Sequence, residues 1–156
     1  MPIGKNFSFT ESGLLHRKGV IFDANNLKIF NYHSEGWGNI TFSFLSKNEA
    51  ITIIGKNKSP FTNGVLSTNG KKFNLKNIEK RNKFWTLKNR RSITAIIIDS
   101  KEYVFAYDDW SWDVSYEKEI IGKITNDKIN INIDNDEVIK ILVCLLVTFN
   151  SMSTSA

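Results

Sequence analysis

The sequence predicts a mainly β protein: a closed antiparallel β-barrel of about 10–12 strands that encloses a hydrophobic C-terminal α-helix. Two observations predict this fold class. Residues 138–149 are apolar on every side except at Lys140, and a helix that is apolar all round is buried. The chain before them reads as short segments spaced by roughly 8–12 residues with turn signals between them, which is typical of a β-sandwich or a barrel.

The helix is predicted at about residues 136–150 and is expected to lie inside the sheet. Crossing a bilayer takes about 20 apolar residues, and a shorter run is typical of a core helix, so no transmembrane segment is expected. Rolling the sheet around the helix covers both apolar surfaces and removes exposed strand edges. A β-sandwich with the helix laid on one side is the alternative, and it would leave part of residues 138–149 in water.

Individual strands are predicted from alternating apolar and polar residues between turns. Asn69-Gly70 is a strong hairpin signal, and residues 128–133 show the cleanest alternation in the chain. A polar stretch containing Pro60 is expected to be a loop. The segments read as strands lie within 14–22, 27–32, 40–45, 50–54, 64–67, 72–75, 83–87, 92–98, 102–107, 112–116, 120–124 and 128–133.

Length and composition fit one globular domain spanning residues 1–156. At 41% hydrophobic and 24% charged residues, the chain has enough apolar surface to fold and is not expected to be disordered. The single Cys144 lies inside the apolar run, so no intramolecular disulfide can form. No secretory signal is visible in the sequence, and none is expected. We expect a cytoplasmic protein, associated with a membrane surface if it binds lipid.

No catalytic or metal-binding motif is present, so we expect a protein that is not an enzyme and that has no cofactor and no metal. The two histidines, His16 and His33, lack metal-ligand spacing, and HExxH, CxxC, GxSxG and phosphate-loop patterns are absent. Three carboxylates at 108, 109 and 113 could supply oxygen ligands to Ca²⁺. Because the spacing and the turn glycine of an EF-hand are missing, a solvated loop beside packed aromatic residues is the favoured interpretation.

The strongest functional signal is a basic segment at residues 71–91. It carries nine basic residues against Glu79 alone, whereas residues 92–137 carry eleven acidic residues against four basic ones. A concentration of Lys and Arg attracts phosphate groups, and each such charge near an anionic membrane contributes about 1 kcal/mol. The residues predicted to bind anionic phospholipid headgroups are Lys71, Lys72, Lys80, Arg81, Lys83, Lys88, Arg90 and Arg91.

Other interpretations of the charge pattern stay open. Exposed strands in a Lys-rich chain can carry Lys without binding anything. A protein partner could instead bind the acidic region 99–119 around Trp110 and Trp112, and an enzyme with an unfamiliar site is a third class. Nucleic acid is less favoured, because RNA binding needs exposed aromatic stacking platforms and the aromatics of the basic segment alternate as core residues do.

The C-terminal part of the chain resembles the tubby C-terminal-like superfamily, which includes tubby proteins, phospholipid scramblases and LURP-one-related proteins. The resemblance lies in Trp112-Asp113-Val114, Ile121-Gly122-Lys123-Ile124, one alternating strand and an acidic step into a hydrophobic helix. It implies a twelve-stranded barrel around a central helix. Because tubby proteins bind phosphoinositide headgroups through basic residues on the barrel wall, it also implies peripheral contact with anionic lipid.

Overall fold

The computed structural model describes residues 5–13, 16–36, 39–56, 64–78, 91–108 and 111–153. They form one antiparallel sheet and one helix, α1 (Asp136–Ser153). The thirteen strands of the described residues are β1 (Lys5–Ser12), β2 (Lys18–Phe22), β3 (Lys28–Glu35), β4 (Asn39–Leu45), β5 (Ala50–Lys56), β6 (Val65–Thr68), β7 (Lys71–Asn74), β8 (Lys76–Asn77), β9 (Arg91–Ile98), β10 (Lys101–Asp108), β11 (Ser111–Tyr116), β12 (Glu119–Thr125) and β13 (Lys128–Ile131).

The sheet is rolled into a nearly closed barrel. Its order is β7-β6-β5-β4-β3-β2-β1-β13-β12-β11-β10-β9-β8, so the edge strands β7 and β8 are consecutive in the chain. The N–H of Leu75 donates to the carbonyl of Gly64 at 2.8 Å, and the N–H of Ile78 donates to the carbonyl of Ile93 at 3.0 Å. Residues 71–78 therefore pair with β6 through β7 and with β9 through β8. This pairing joins the two edges of the sheet.

Tight turns fix the register of the hairpins. Asn69 (φ 49°) and Gly70 (φ 76°) both have positive φ, as a two-residue type I′ turn requires, and this turn joins strands whose twist it matches. Asp99-Ser100 and Glu117-Lys118 also have positive φ at both positions. The hairpin predicted at Asn69-Gly70 is confirmed.

The helix lies inside the barrel, as predicted. Every residue from Ile141 to Phe149 is buried, and Leu142 to Val147 have no exposed surface. Phe149 packs between Phe105 and Trp112, with ring centroids 5.0 and 5.1 Å away. Eighteen residues at a rise of 1.5 Å make the helix about 27 Å long, and the barrel covers its apolar part, residues 138–149, which is about 18 Å long.

The two ends of α1 define the two rims of the barrel. At the helix-start rim, where Asp136 lies, Asn135 caps the helix by accepting a hydrogen bond from the N–H of Val138 at 3.2 Å. Lys140 leaves the core there and donates to Glu49 at 2.6 Å. Asp136 is paired with Lys5, and this hydrogen bond lowers the pKa of the Asp136 carboxyl.

At the helix-end rim, Arg17 ties the last turn of α1 to the barrel wall. Its guanidinium donates to the backbone carbonyl of Ser151 and, at 2.6 Å, to the Ser151 hydroxyl. Glu11 lies 3.6 Å from the same guanidinium and accepts a hydrogen bond from the Tyr32 hydroxyl at 2.9 Å. Burial, followed by the Glu11 charge, raises the pKa of Tyr32 well above its ordinary value, so the phenol remains a hydrogen-bond donor.

Two strands were not predicted, and one predicted strand cannot be compared. β1 and the two-residue β8 were absent from the sequence prediction, which expected about 10–12 strands where the described residues hold thirteen. The strand expected at residues 83–87 lies outside the described residues. The helix was expected at about 136–150 and continues to Ser153.

In the described residues, no helix combines the length and the hydropathy needed to span a bilayer.

Candidate functional site

Two of the predicted headgroup-binding residues, Lys71 and Lys72, are fully described, and both are exposed in β7. Side chains alternate between the two faces of a strand. Lys71 shares the inner face with Phe73, which lies opposite the core residue Leu66, whereas Lys72 lies opposite Ser67. Lys71 therefore points towards the helix-start rim and Lys72 towards the outer wall.

Lys72 ends a continuous row of outward side chains across the sheet. The strand register places Ser67 beside Thr52, Thr52 beside Ser43 and Ser43 beside His33. We call this set, with the residues that complete it in β2 and β1, the hydroxyl row: Lys72, Ser67, Thr52, Ser43, His33, Lys18 and Ser12.

The hydroxyl row crosses a wall that is poor in negative charge. Among the outward positions of β2–β7, alternation places a single acidic residue, Glu35, at the end of β3. The row also borders a groove of about 500 Å³ on the outer wall, whose lining includes Lys18, Asn31 and His33 together with one acidic residue, Glu11, which is paired with Arg17. Hydroxyl, amide and ammonium groups all donate hydrogen bonds to anions, so this wall offers many donors and few carboxylates to a negatively charged surface.

Most of the remaining predicted basic residues lie in a segment, residues 79–90, that is outside the described residues. Arg91 begins β9, and the residue before the undescribed segment, Ile78, is hydrogen-bonded to Ile93. The chain therefore leaves and re-enters the described structure at the same edge, on the side of the helix-end rim. Outside the described residues lie Lys80, Arg81, Lys83, Lys88 and Arg90.

The structure does not bring Lys71 next to the start of β9. Lys71 lies at the helix-start rim, and seven residues of extended chain separate it from Ile78. At about 3.3 Å per residue this is roughly 23 Å. The basic segment that is continuous in sequence is thus spread along the height of the barrel, with Lys71 and Lys72 near one rim and the anchors of residues 79–90 near the other.

The acidic region 99–119 divides into exposed charges and core aromatics. Asp99, Glu102, Glu117 and Glu119 are exposed near the helix-start rim. Trp112 is only 2% exposed and packs on Tyr107 and Phe149, so it belongs to the core. The other tryptophan of this region, at position 110, lies outside the described residues.

The carboxylates considered for Ca²⁺ are not assembled into a site within the described residues. Asp113 is buried in β11, and position 109 is not described. No group of three or more His, Cys, Asp or Glu residues in the described ranges is arranged to hold a metal ion.

Comparison with protein families, with curated proteins and with solved structures finds no match to this chain.

Proposed function

We propose that this protein is a non-enzymatic, tubby-like barrel that binds anionic phospholipid headgroups at a membrane surface through its basic segment. The residues proposed to contact headgroups are Lys71, Lys72, Lys80, Arg81, Lys83, Lys88, Arg90 and Arg91. The observation that chiefly supports the proposal is the hydroxyl row on the outer wall. Lys72 lies at one end of this row, and Lys18 lies beside His33 near the other end.

The basic residues of β7 and β8 and of the segment that follows them support an anionic ligand. Exposed Lys72 and Lys76 lie on the strand that joins the two edges of the sheet, and that strand leads directly into residues 79–90 with their five basic side chains. Arg can hold phosphate oxygens in a bidentate geometry, and Lys supplies a mobile point charge. The carboxylates of the 99–119 region project from other strands, β10 and β12, and from the turns at the helix-start rim.

The barrel architecture supports the kinship part of the proposal. An antiparallel sheet wrapped around one apolar C-terminal helix is the arrangement that the resemblance to the tubby C-terminal-like superfamily implies. Because α1 forms the core of the barrel, it does not insert into lipid. On this proposal, contact with the membrane is therefore peripheral and electrostatic.

Vesicle co-sedimentation tests the proposal. The protein should bind vesicles that contain phosphatidylserine or a phosphoinositide and should not bind vesicles of phosphatidylcholine alone. Replacing Lys80, Arg81 and Lys83 with Ser should weaken binding about a hundredfold, since three surface charges contribute about 1 kcal/mol each. Added salt should weaken binding further, because exposed charges are screened.

The matched control removes the same charge from residues outside the basic segment. Lys118, Lys123 and Lys128 are exposed, and their replacement with Ser should leave vesicle binding within about threefold of the wild type, a change of less than 1 kcal/mol. Equal losses in the two triple variants would mean that net charge alone attracts the protein, and binding that ignores lipid charge would reject the proposal outright.

A further inference from the structure

A second polar site lies at the helix-start rim and was not recognised in the sequence. Here the turn after β4, the start of β3 and the first turns of α1 line an open cavity of about 670 Å³, which we call the mouth cavity. Its volume lies within the range of about 300–1,000 Å³ typical of small-molecule sites, and barrel mouths are among the places where such sites occur. Three lysines line it: Lys28, Lys47 and Lys140.

The charge of the mouth cavity is positive. Glu49 is the acidic residue in its lining, and it accepts a hydrogen bond from Lys140 at 2.6 Å. With three lysines and one carboxylate, the net charge of the lining is +2. An ammonium group has three donors, so Lys140 keeps two for a ligand while Glu49 holds it in place. Lys28 and Lys47 are exposed.

The charged residues beside the mouth cavity determine on which side of it an anion has the lowest electrostatic energy. On the other side of Lys140 lies a smaller recess of about 280 Å³, whose lining carries three carboxylates, Glu49, Asp99 and Glu137, against the two lysines Lys71 and Lys140. The three carboxylates disfavour an anion in that recess. A negatively charged group therefore has its lowest electrostatic energy on the side of Lys28 and Lys47, with Lys140 at the boundary between the two compartments.

Uncharged groups complete the lining. The side chains of Asn48 and Asn69 can donate or accept hydrogen bonds, and Leu45 contributes an apolar surface that is 45% exposed. A ligand that combines a compact anion with a small apolar or planar group would satisfy both parts. We propose that the mouth cavity binds a small phosphate monoester, with the dianionic phosphate held by Lys28, Lys47 and Lys140 and the organic group packed on Leu45.

This site goes beyond the lipid-binding proposal and does not depend on it, because none of its three lysines belongs to the basic segment. NMR titration of the labelled protein with phenyl phosphate tests it, with phenol as the uncharged control. Phenyl phosphate should shift the amide signals of residues around the cavity, including Lys47, Asn48 and Asn69, and phenol should not. Shifts confined to other parts of the barrel would place the anion elsewhere and overturn the proposal.

Paired variants separate this site from general attraction to a basic protein. Replacing Lys28 and Lys47 with Ser should weaken phenyl phosphate binding about tenfold for each lysine, because each change removes a charge-assisted hydrogen bond to the phosphate. Replacing Lys123 and Lys128 with Ser removes the same charge from residues that do not line the cavity and should have little effect. Equal weakening in both pairs would overturn the proposal.

The lipid experiment provides the reciprocal comparison. The Lys28 and Lys47 variant should bind anionic vesicles as the wild type does, and the variant lacking Lys80, Arg81 and Lys83 should bind phenyl phosphate as the wild type does. If phenyl phosphate binding instead follows the second variant, the mouth cavity is not the phosphate site, whatever the outcome for vesicles.

Discussion

Replacing Leu145 with Asp is expected to abolish soluble folding. Leu145 lies in the middle of α1 with no exposed surface, and its neighbours along the helix, Cys144 and Leu146, are equally buried. An ionised carboxylate without a partner costs several kcal/mol in such an environment, and a typical domain is stable by only about 5–15 kcal/mol. Soluble yield and urea unfolding followed by circular dichroism measure the effect.

A graded substitution and a matched control make this prediction informative if the Asp variant cannot be purified. Leu145→Ala should lower the free energy of unfolding by about 2–5 kcal/mol, through the lost apolar contacts and the cavity that remains. Leu45→Asp introduces the same charge at a position that is 45% exposed and should cost no more than about 1 kcal/mol. Similar behaviour of the two Asp variants would show that the helix is not enclosed.

The second large effect is expected from Arg17→Met. Methionine keeps the apolar stem of the side chain but removes the guanidinium, which leaves Glu11, whose side chain is 20% exposed, without its cation and removes the donor to the last turn of α1. Breaking a buried ion pair by deleting one partner costs about 3–5 kcal/mol, and the partial exposure of Glu11 places this case near 3 kcal/mol. Urea unfolding measures the loss.

Two further variants test whether the ion pair causes that loss. Lys18→Met changes the exposed neighbour in the same way and should shift stability by about 0.5 kcal/mol or less. Adding Glu11→Gln to Arg17→Met should restore part of the stability, because the uncompensated carboxylate is then absent, with a coupling of about 0.5–3 kcal/mol. If Arg17→Met is no worse than Lys18→Met, Arg17 does not hold the helix end.

The helix and most strands could be predicted because their signals are local. A helix that is apolar on every side is stable only in the interior of the protein. The hairpin at Asn69-Gly70 could be predicted because these two residues alone specify the turn. β1 was missed because it shows only two apolar side chains, Phe7 and Phe9, and its third inward position is Glu11. The inward position of this carboxylate is explained by its contacts with Arg17 and Tyr32, which the local sequence does not show.

The sites were harder to predict because they are assembled across the sheet. Arg17 and Ser151 are 134 residues apart in sequence, so nothing in the local sequence marks Arg17 as buried. The mouth cavity is likewise built from Lys28, Lys47 and Lys140, which lie on three different elements. The density of charge along the chain identified the segment 71–91. However, strand alternation places Lys71 and Lys72 on opposite faces of β7, near the rim opposite to the one where residue 78 lies.

The most direct test of the enclosed helix is the reactivity of Cys144, the single cysteine, at the centre of α1. Its thiol is fully buried, and burial raises its pKa, so a thiol reagent can reach it only when the barrel opens. In the native protein, labelling should be slow, and its rate should increase with urea in proportion to the globally unfolded fraction measured by circular dichroism. Immediate, complete labelling in the absence of urea would contradict a barrel closed around this helix.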